Sequence, residues 1–139
     1  MTHYMRKVGV SLLIIPSLLL TAYAQTINSV ANNQTVSVPS MNKGDKRYYS
    51  ITVPSGSSNL HITTTGQGGD ADIYVSRTKV PTRGKFSWSS TKSRSNESIL
   101  IRTPVADTYN VMLYAYSNTT GTNLSVTYTK GALSTLPTS

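Results

Sequence analysis

Cysteine is absent from this chain. That excludes disulfide staples, thiol nucleophiles, cysteine zinc sites and thiol redox chemistry in one step. A domain built without it must hold by packing alone, helped at most by an ion. Acidic residues are scarce: Asp45, Asp70, Asp72, Glu97 and Asp107 are all there are. Beyond the N-terminal segment the only histidine is His61, which alternates with Leu60 and Ile62 and reads as an outward strand residue rather than a general base. No G-x-S-x-G elbow accompanies it, so a serine-hydrolase triad lacks its parts, and zinc lacks ligands. Enzyme chemistry is disfavoured by missing components.

Long apolar runs are missing too. The one candidate, around SLLIIPSLLL, is shorter than the roughly 20 residues a spanning helix requires. It follows Arg6-Lys7 and precedes Ala22-Tyr23-Ala24, a small-x-small cleavage pattern. Residues 1–24 therefore read as a secretory signal peptide. The mature chain, from Gln25, is expected outside the cytoplasm (extracellular or periplasmic) with no transmembrane segment of its own.

What is abundant is serine and threonine, 36 of the 115 residues after the signal, and seven of the nine tyrosines fall between Tyr48 and Tyr128. Threonine and tyrosine suit half-buried pleated surfaces. Period-2 alternation recurs in KRYYSITV, SNLHITTT, ADIYVS, TYNVMLYAY and LSVTYT, with turn residues between them and no helical period. About eight short strands are predicted. The fold class is all-β, an antiparallel β-sandwich of jelly-roll character; strands this short suit an OB-type or lipocalin barrel less well. Residues 25–45 form a polar entry segment with one short edge strand at Thr35–Val38, residues 46–129 the sandwich, and residues 130–139 a frayed tail.

Three groups of residues are candidates for function. Asp70 and Asp72 are two apart on a predicted strand and so share one face, opposite Ala71, Ile73 and Val75. A glycosidase pair would come from different strands across a cleft, which leaves two readings open: a cation site, since hard cations want several oxygens, or carboxylates that cap the preceding glycine turn and take local hydrogen bonds. The other three acids are too far away in sequence to be added. In the late strand, Tyr109, Val111, Leu113 and Ala115 form a core row, with Tyr109 placed to act as a tyrosine corner. Asn110, Met112, Tyr114 and Tyr116 fall on the other face, where Met112, Tyr114 and Tyr116 form a candidate ligand-binding surface. Finally, Arg77, Lys79, Arg83, Lys85, Lys92, Arg94 and Arg102 crowd one span of a mature chain whose net charge is +6. A secreted protein rarely meets nucleic acid, so the first six of these read as a basic patch for anionic cell-envelope components, or as solvated loop charge.

The succession YYSITVPSGSSNLHITTTGQGGDADIYVS, then VPT, then SRSNES, then ADTYNVMLYAYSNTTGTNLSVTY, resembles the bacterial pre-peptidase C-terminal domain. That family's landmarks are an entry strand ending V-P-x-G, a G-x-G-D-A-D-L-Y-V segment, a P-T turn, an N-E step, and a G-T-Y-x-V-x-V-x-x-Y strand closed by V-x-Y. The likeness covers residues 46–128. Two features depart from it: serine and arginine stand where members often carry a cysteine pair, and the late G-T-Y is Asp107-Thr108-Tyr109. The resemblance implies a calcium-dependent or calcium-stabilised accessory sandwich whose relatives bind collagen or polysaccharide, or assist secretion. Such domains usually follow a peptidase domain, and this chain is read as a free-standing member without one. Its expected partner is an extracellular polymer or a secreted protein, and calcium is the one cofactor implied. N-terminal sequencing of the exported protein is expected to begin Gln25-Thr26-Ile27; a start at Met1 or beyond about residue 30 would contradict the signal-peptide reading.

Overall fold

The computed structural model describes residues 24–132 together with Gly9 and Ile14. Nearly all of the expected signal peptide, and all but the first three residues of the expected tail, lie outside the described residues. Nine strands form: β1 (Ile27–Ser29), β2 (Gln34–Val38), β3 (Lys46–Val53), β4 (Ser58–Thr65), β5 (Ala71–Arg77), β6 (Trp88–Ser90), β7 (Ser98–Ile101), β8 (Asp107–Ala115) and β9 (Thr122–Thr129). One sheet has the order β1-β3-β8-β5-β6 and the other β2-β9-β4-β7. The result is a predominantly antiparallel two-sheet sandwich of jelly-roll type. Among the described residues, no helix is long and apolar enough to cross a membrane.

Alternation along each strand places the core. Tyr49, Ile51 and Val53 of β3, Ala71, Ile73 and Val75 of β5, and Tyr109, Val111, Leu113 and Ala115 of β8 line the inner face of the first sheet. Leu60 and Ile62 of β4, Ile99 and Ile101 of β7, and Leu124 and Val126 of β9 meet them from the second. Trp88 packs its ring against Tyr109, with centroids 5.9 Å apart. The Tyr109 hydroxyl donates to the Val105 carbonyl at 3.0 Å, which makes it the tyrosine corner the sequence predicts.

The structure corrects two expectations. The polar entry segment supplies two strands rather than one: β2 lies at the edge of its sheet beside β9, and the three-residue β1 runs parallel to β3 with Ile27 opposite Tyr48. The second correction concerns the outward face of the first sheet, which is closed to solvent along β5 and the middle of β8. Asp72, Tyr74 and Ser76 of β5 retain 6%, 6% and 9% of their exposure, and Met112 of β8 only 1%. Met112 does point away from the core, as alternation requires, but Tyr48 and Tyr74 flank it at the same register on β3 and β5. Over this face folds the β5–β6 loop, residues 78–87. Phe86 sets its ring edge against Tyr74 at 5.2 Å, and the guanidinium of Arg83 lies 4.2 Å over the Tyr114 ring.

Leu113 is fully buried at the centre of this arrangement. Leu113→Ala is expected to cost about 2–5 kcal/mol in chemical denaturation; a loss below about 1 kcal/mol would mean that its row is not core.

Candidate cation-binding cleft and its tyrosine rim

The site begins with two turns pressed together. Gly69 has φ +84°, and a Cβ there would lie 1.9 Å from the Asn118 carbonyl oxygen. Only glycine permits both that backbone and that approach. The opposed turn is tied on by the bridge between Gly68 and Thr120, and the Asp70 carbonyl accepts the Tyr116 N–H at 2.8 Å and the Ser117 N–H at 3.2 Å. Asp70, immediately before β5, and Tyr116, immediately after β8, are thereby fixed to one another.

A third acid joins Asp70 and Asp72. One carboxylate oxygen from each of Asp70, Asp72 and Glu97 can be chosen so that all lie within 4.8 Å of one another. Glu97 is 2% exposed and firmly placed. Its backbone exchanges hydrogen bonds with Thr64 at 3.0 and 3.2 Å, its Oε1 accepts the Lys92 N–H at 2.7 Å, and its Oε2 accepts the Ser90 hydroxyl. Sequence separation concealed it, because β6 and two loops intervene between Asp72 and Glu97. The available signal was the N-E step, together with the fact that these three are most of the acids the chain has.

Nor does Asp70 cap the glycine turn with its side chain: its Oδ1 is buried without a hydrogen-bond partner. An orphaned carboxylate oxygen beside two further carboxylates is a costly arrangement for the isolated domain. Burial, and then the charges of Asp70 and Glu97, push the Asp72 carboxyl up to about 6, against the opposing pull of Arg83. A hard divalent ion answers each of these features: it takes oxygen ligands, fills the orphaned position and cancels the repulsion. The residues present fit calcium. A cleft of about 370 Å³ reaches Asp70 and Asp72 and is further lined by Tyr74, Arg83, Thr91, Ser93 and Tyr116.

The remaining sequence candidates are distributed around this cleft. Tyr116 stands at its rim, 57% exposed. Tyr114 is half-buried beneath Arg83, whose Nη1 donates to the Tyr114 hydroxyl at 3.2 Å. Met112 cannot reach a ligand on this surface. The basic residues do not gather into one patch: Arg83 lines the acid cleft, Arg77, Lys79 and Lys85 line a separate pocket, and Arg94 borders the glycine turn. His61 shares a hydrogen bond with Ser98 at 2.8 Å across β4 and β7, remote in role from any site.

A model of the bacterial pre-peptidase C-terminal domain matches residues 45–115. The chain belongs to that family. The neutral protease of Vibrio proteolyticus is 40% identical over 83 residues, covering 60% of this chain and 14% of the protease. The chain thus spans only a small part of this curated relative. Among solved structures, the solution structure of vEP C-ter 100 is 32% identical with a TM-score of 0.61, covering 73% of this chain and 99% of that one. The pre-peptidase C-terminal domain of a collagenase from Bacillus anthracis shares the fold at 14% identity, with a TM-score of 0.57 and coverage of 76% and 96%. Residues 45–115 thus correspond to the non-catalytic accessory domain of secreted bacterial proteases rather than to their catalytic domain, which supports an extracellular location.

Two outcomes follow from the cleft. Because the folded-state value of Asp72 lies above the ordinary 3.8, the native state holds a proton that the unfolded chain has already released. Metal-free stability should therefore fall as pH rises from about 4 to about 6 and level off above. Asp72→Asn should flatten that slope in thermal melts run with a chelator; an unchanged slope would remove Asp72 as its source. Gly69→Ala should lose at least about 1–2 kcal/mol from the left-handed backbone alone, and more from the clash with Asn118; a melt within a degree of the parent would contradict the tight turn contact.

Proposed function

We propose that the domain attaches to an extracellular polymer, a protein fibre or polysaccharide, through the rim of the acid cleft, with Tyr116 as the principal anchor and Tyr114 beside it. The observation that carries this reading is the position of Tyr116. It is a large, rigid, amphipathic side chain left exposed at the edge of a cleft that has the donor set for calcium. Its own N–H is bonded to the carbonyl of Asp70. An ion held by Asp70 would stiffen that bond's partner and hold the tyrosine in place, which lowers the ordering cost of docking. One structural relative is a domain of a collagenase, an enzyme named for a protein fibre, which is in keeping with polymer attachment. Association with a secreted protein partner through the same rim would use the same residues. An action on anionic cell-envelope components through one basic patch has less support, because its cations are divided among separate concavities.

The test is sedimentation with collagen fibrils, chitin and cell-wall fractions, at low and high salt, with calcium or with a chelator. Wild-type domain should pellet with one of these polymers and persist in high salt. Tyr116→Ala should weaken binding at least tenfold, since aromatic anchors often carry about 2 kcal/mol, while its melting curve stays unchanged. If Tyr116→Ala stays folded and pellets like the wild type, the rim is not the binding surface.

A further inference from the structure

The β5–β6 loop contains a pocket that is separate from the acid cleft. Its volume is about 290 Å³, and it is lined by Ser76, Arg77, Lys79, Val80, Thr82, Lys85, Phe86 and Ser87. The composition is one-sided: three cations, three hydroxyls, an aromatic ring and a branched aliphatic, with no acid. Val80 and Phe86 keep 37% and 44% of their exposure, so an apolar surface stays open in a pocket that three cations also line.

The loop is also held in shape before any ligand arrives. Thr82 and Lys85 exchange backbone hydrogen bonds at 2.9 and 3.2 Å, the Ser87 N–H is held by the Val75 carbonyl at 2.9 Å, and the Thr78 N–H by the Thr108 carbonyl at 3.0 Å. Asn110 donates its Nδ2 hydrogen to the Lys79 carbonyl at 3.2 Å. Phe86 is pinned edge-on against Tyr74. Thr78 adopts φ +61°, which a non-glycine residue holds only when its surroundings enforce it. A loop fixed at both ends and in the middle binds with little ordering cost.

We propose that this pocket binds the carboxyl terminus of a peptide whose last residue is apolar. The terminal side chain would lie on Val80 and Phe86, and the carboxylate would take charge-assisted hydrogen bonds from the side chains of Lys79, Lys85 and Arg77. Charge complementarity selects an anion, and the apolar floor selects one that carries a hydrocarbon group next to the charge. The pocket's limited volume matches one terminal residue better than an acyl chain, which would have to run out into water. The site uses none of the acid-cleft residues, so it stands or falls independently of polymer attachment at Tyr116.

The probe is a tetrapeptide, Gly-Gly-Gly-Phe, as the free acid and as the C-terminal amide, titrated into the full chain by calorimetry and by amide chemical-shift mapping. The acid should bind and shift resonances of residues 76–87, and the amide should bind at least tenfold more weakly. The double variant Lys79→Gln, Lys85→Gln should show the same loss for the acid with an unchanged melting temperature. The loop's own bonds at these positions are made by backbone atoms, so neutralising the side chains leaves its shape intact. The proposal is overturned if the acid does not bind, if acid and amide bind alike, or if the double variant binds the acid as the wild type does. It is equally overturned if phosphatidylglycerol vesicles bind through these lysines while the peptide does not, which would make the loop a lipid-headgroup contact.

Discussion

Three carboxylates within 4.8 Å of one another, partly shielded from water, repel. That repulsion is the constraint around which this end of the sandwich is arranged. Each acid is delivered by a different device: Asp70 by a glycine turn too tight for any Cβ, Asp72 by the outward register of β5, and Glu97 by paired hydrogen bonds to Thr64, Ser90 and Lys92. A fold that only needed strand endings would have no reason to bring these together. Arg83 relieves part of the repulsion from the side, and the raised titration of Asp72 records what remains. A divalent ion would relieve the rest and tie the start of β5 to the loop before β7, a job a disulfide does in secreted domains that have cysteines.

The same end of the molecule carries the exposed tyrosine. The N–H groups of Tyr116 and Ser117 both bond to the Asp70 carbonyl, so the acid cleft and the exposed ring are joined at that residue. On the neighbouring surface, the β5–β6 loop closes the outward face of the first sheet with Phe86 on Tyr74 and Arg83 on Tyr114. Along β5 every residue from Ala71 to Ser76 is buried, and only Arg77 is exposed. The loop keeps the middle of the sheet from presenting a flat aromatic surface, leaving Tyr116 as the exposed ring beside the cleft.

The inner rows were legible because side-chain direction on a strand has a period of two: Ile73, Val75, Val111 and Leu113 face inward as alternation requires. The tyrosine corner was legible from a turn followed by tyrosine. Alternation says which face a residue takes but not what covers that face, and so Met112 was placed on a ligand-binding surface although it is buried. Strand β1 was missed because three residues are too few for a period, and a parallel pairing carries no turn signal. Glu97 was missed because its nearness to Asp70 and Asp72 is a property of the sheet order, not of sequence spacing. The basic span looked continuous in sequence, yet loop geometry sends its members to different concavities.

Asp70, Asp72 and Glu97 together have the donor set of one cation site. Calorimetric titration of calcium into the chelator-stripped domain at neutral pH tests it most directly, with Asp70→Asn run alongside. That variant removes the charge at the orphaned oxygen while leaving the Asp70 backbone carbonyl to hold Tyr116. One ion should bind per wild-type chain, and a folded Asp70→Asn domain should lose that binding. No calcium binding to the wild type, or equal binding to both, would contradict it.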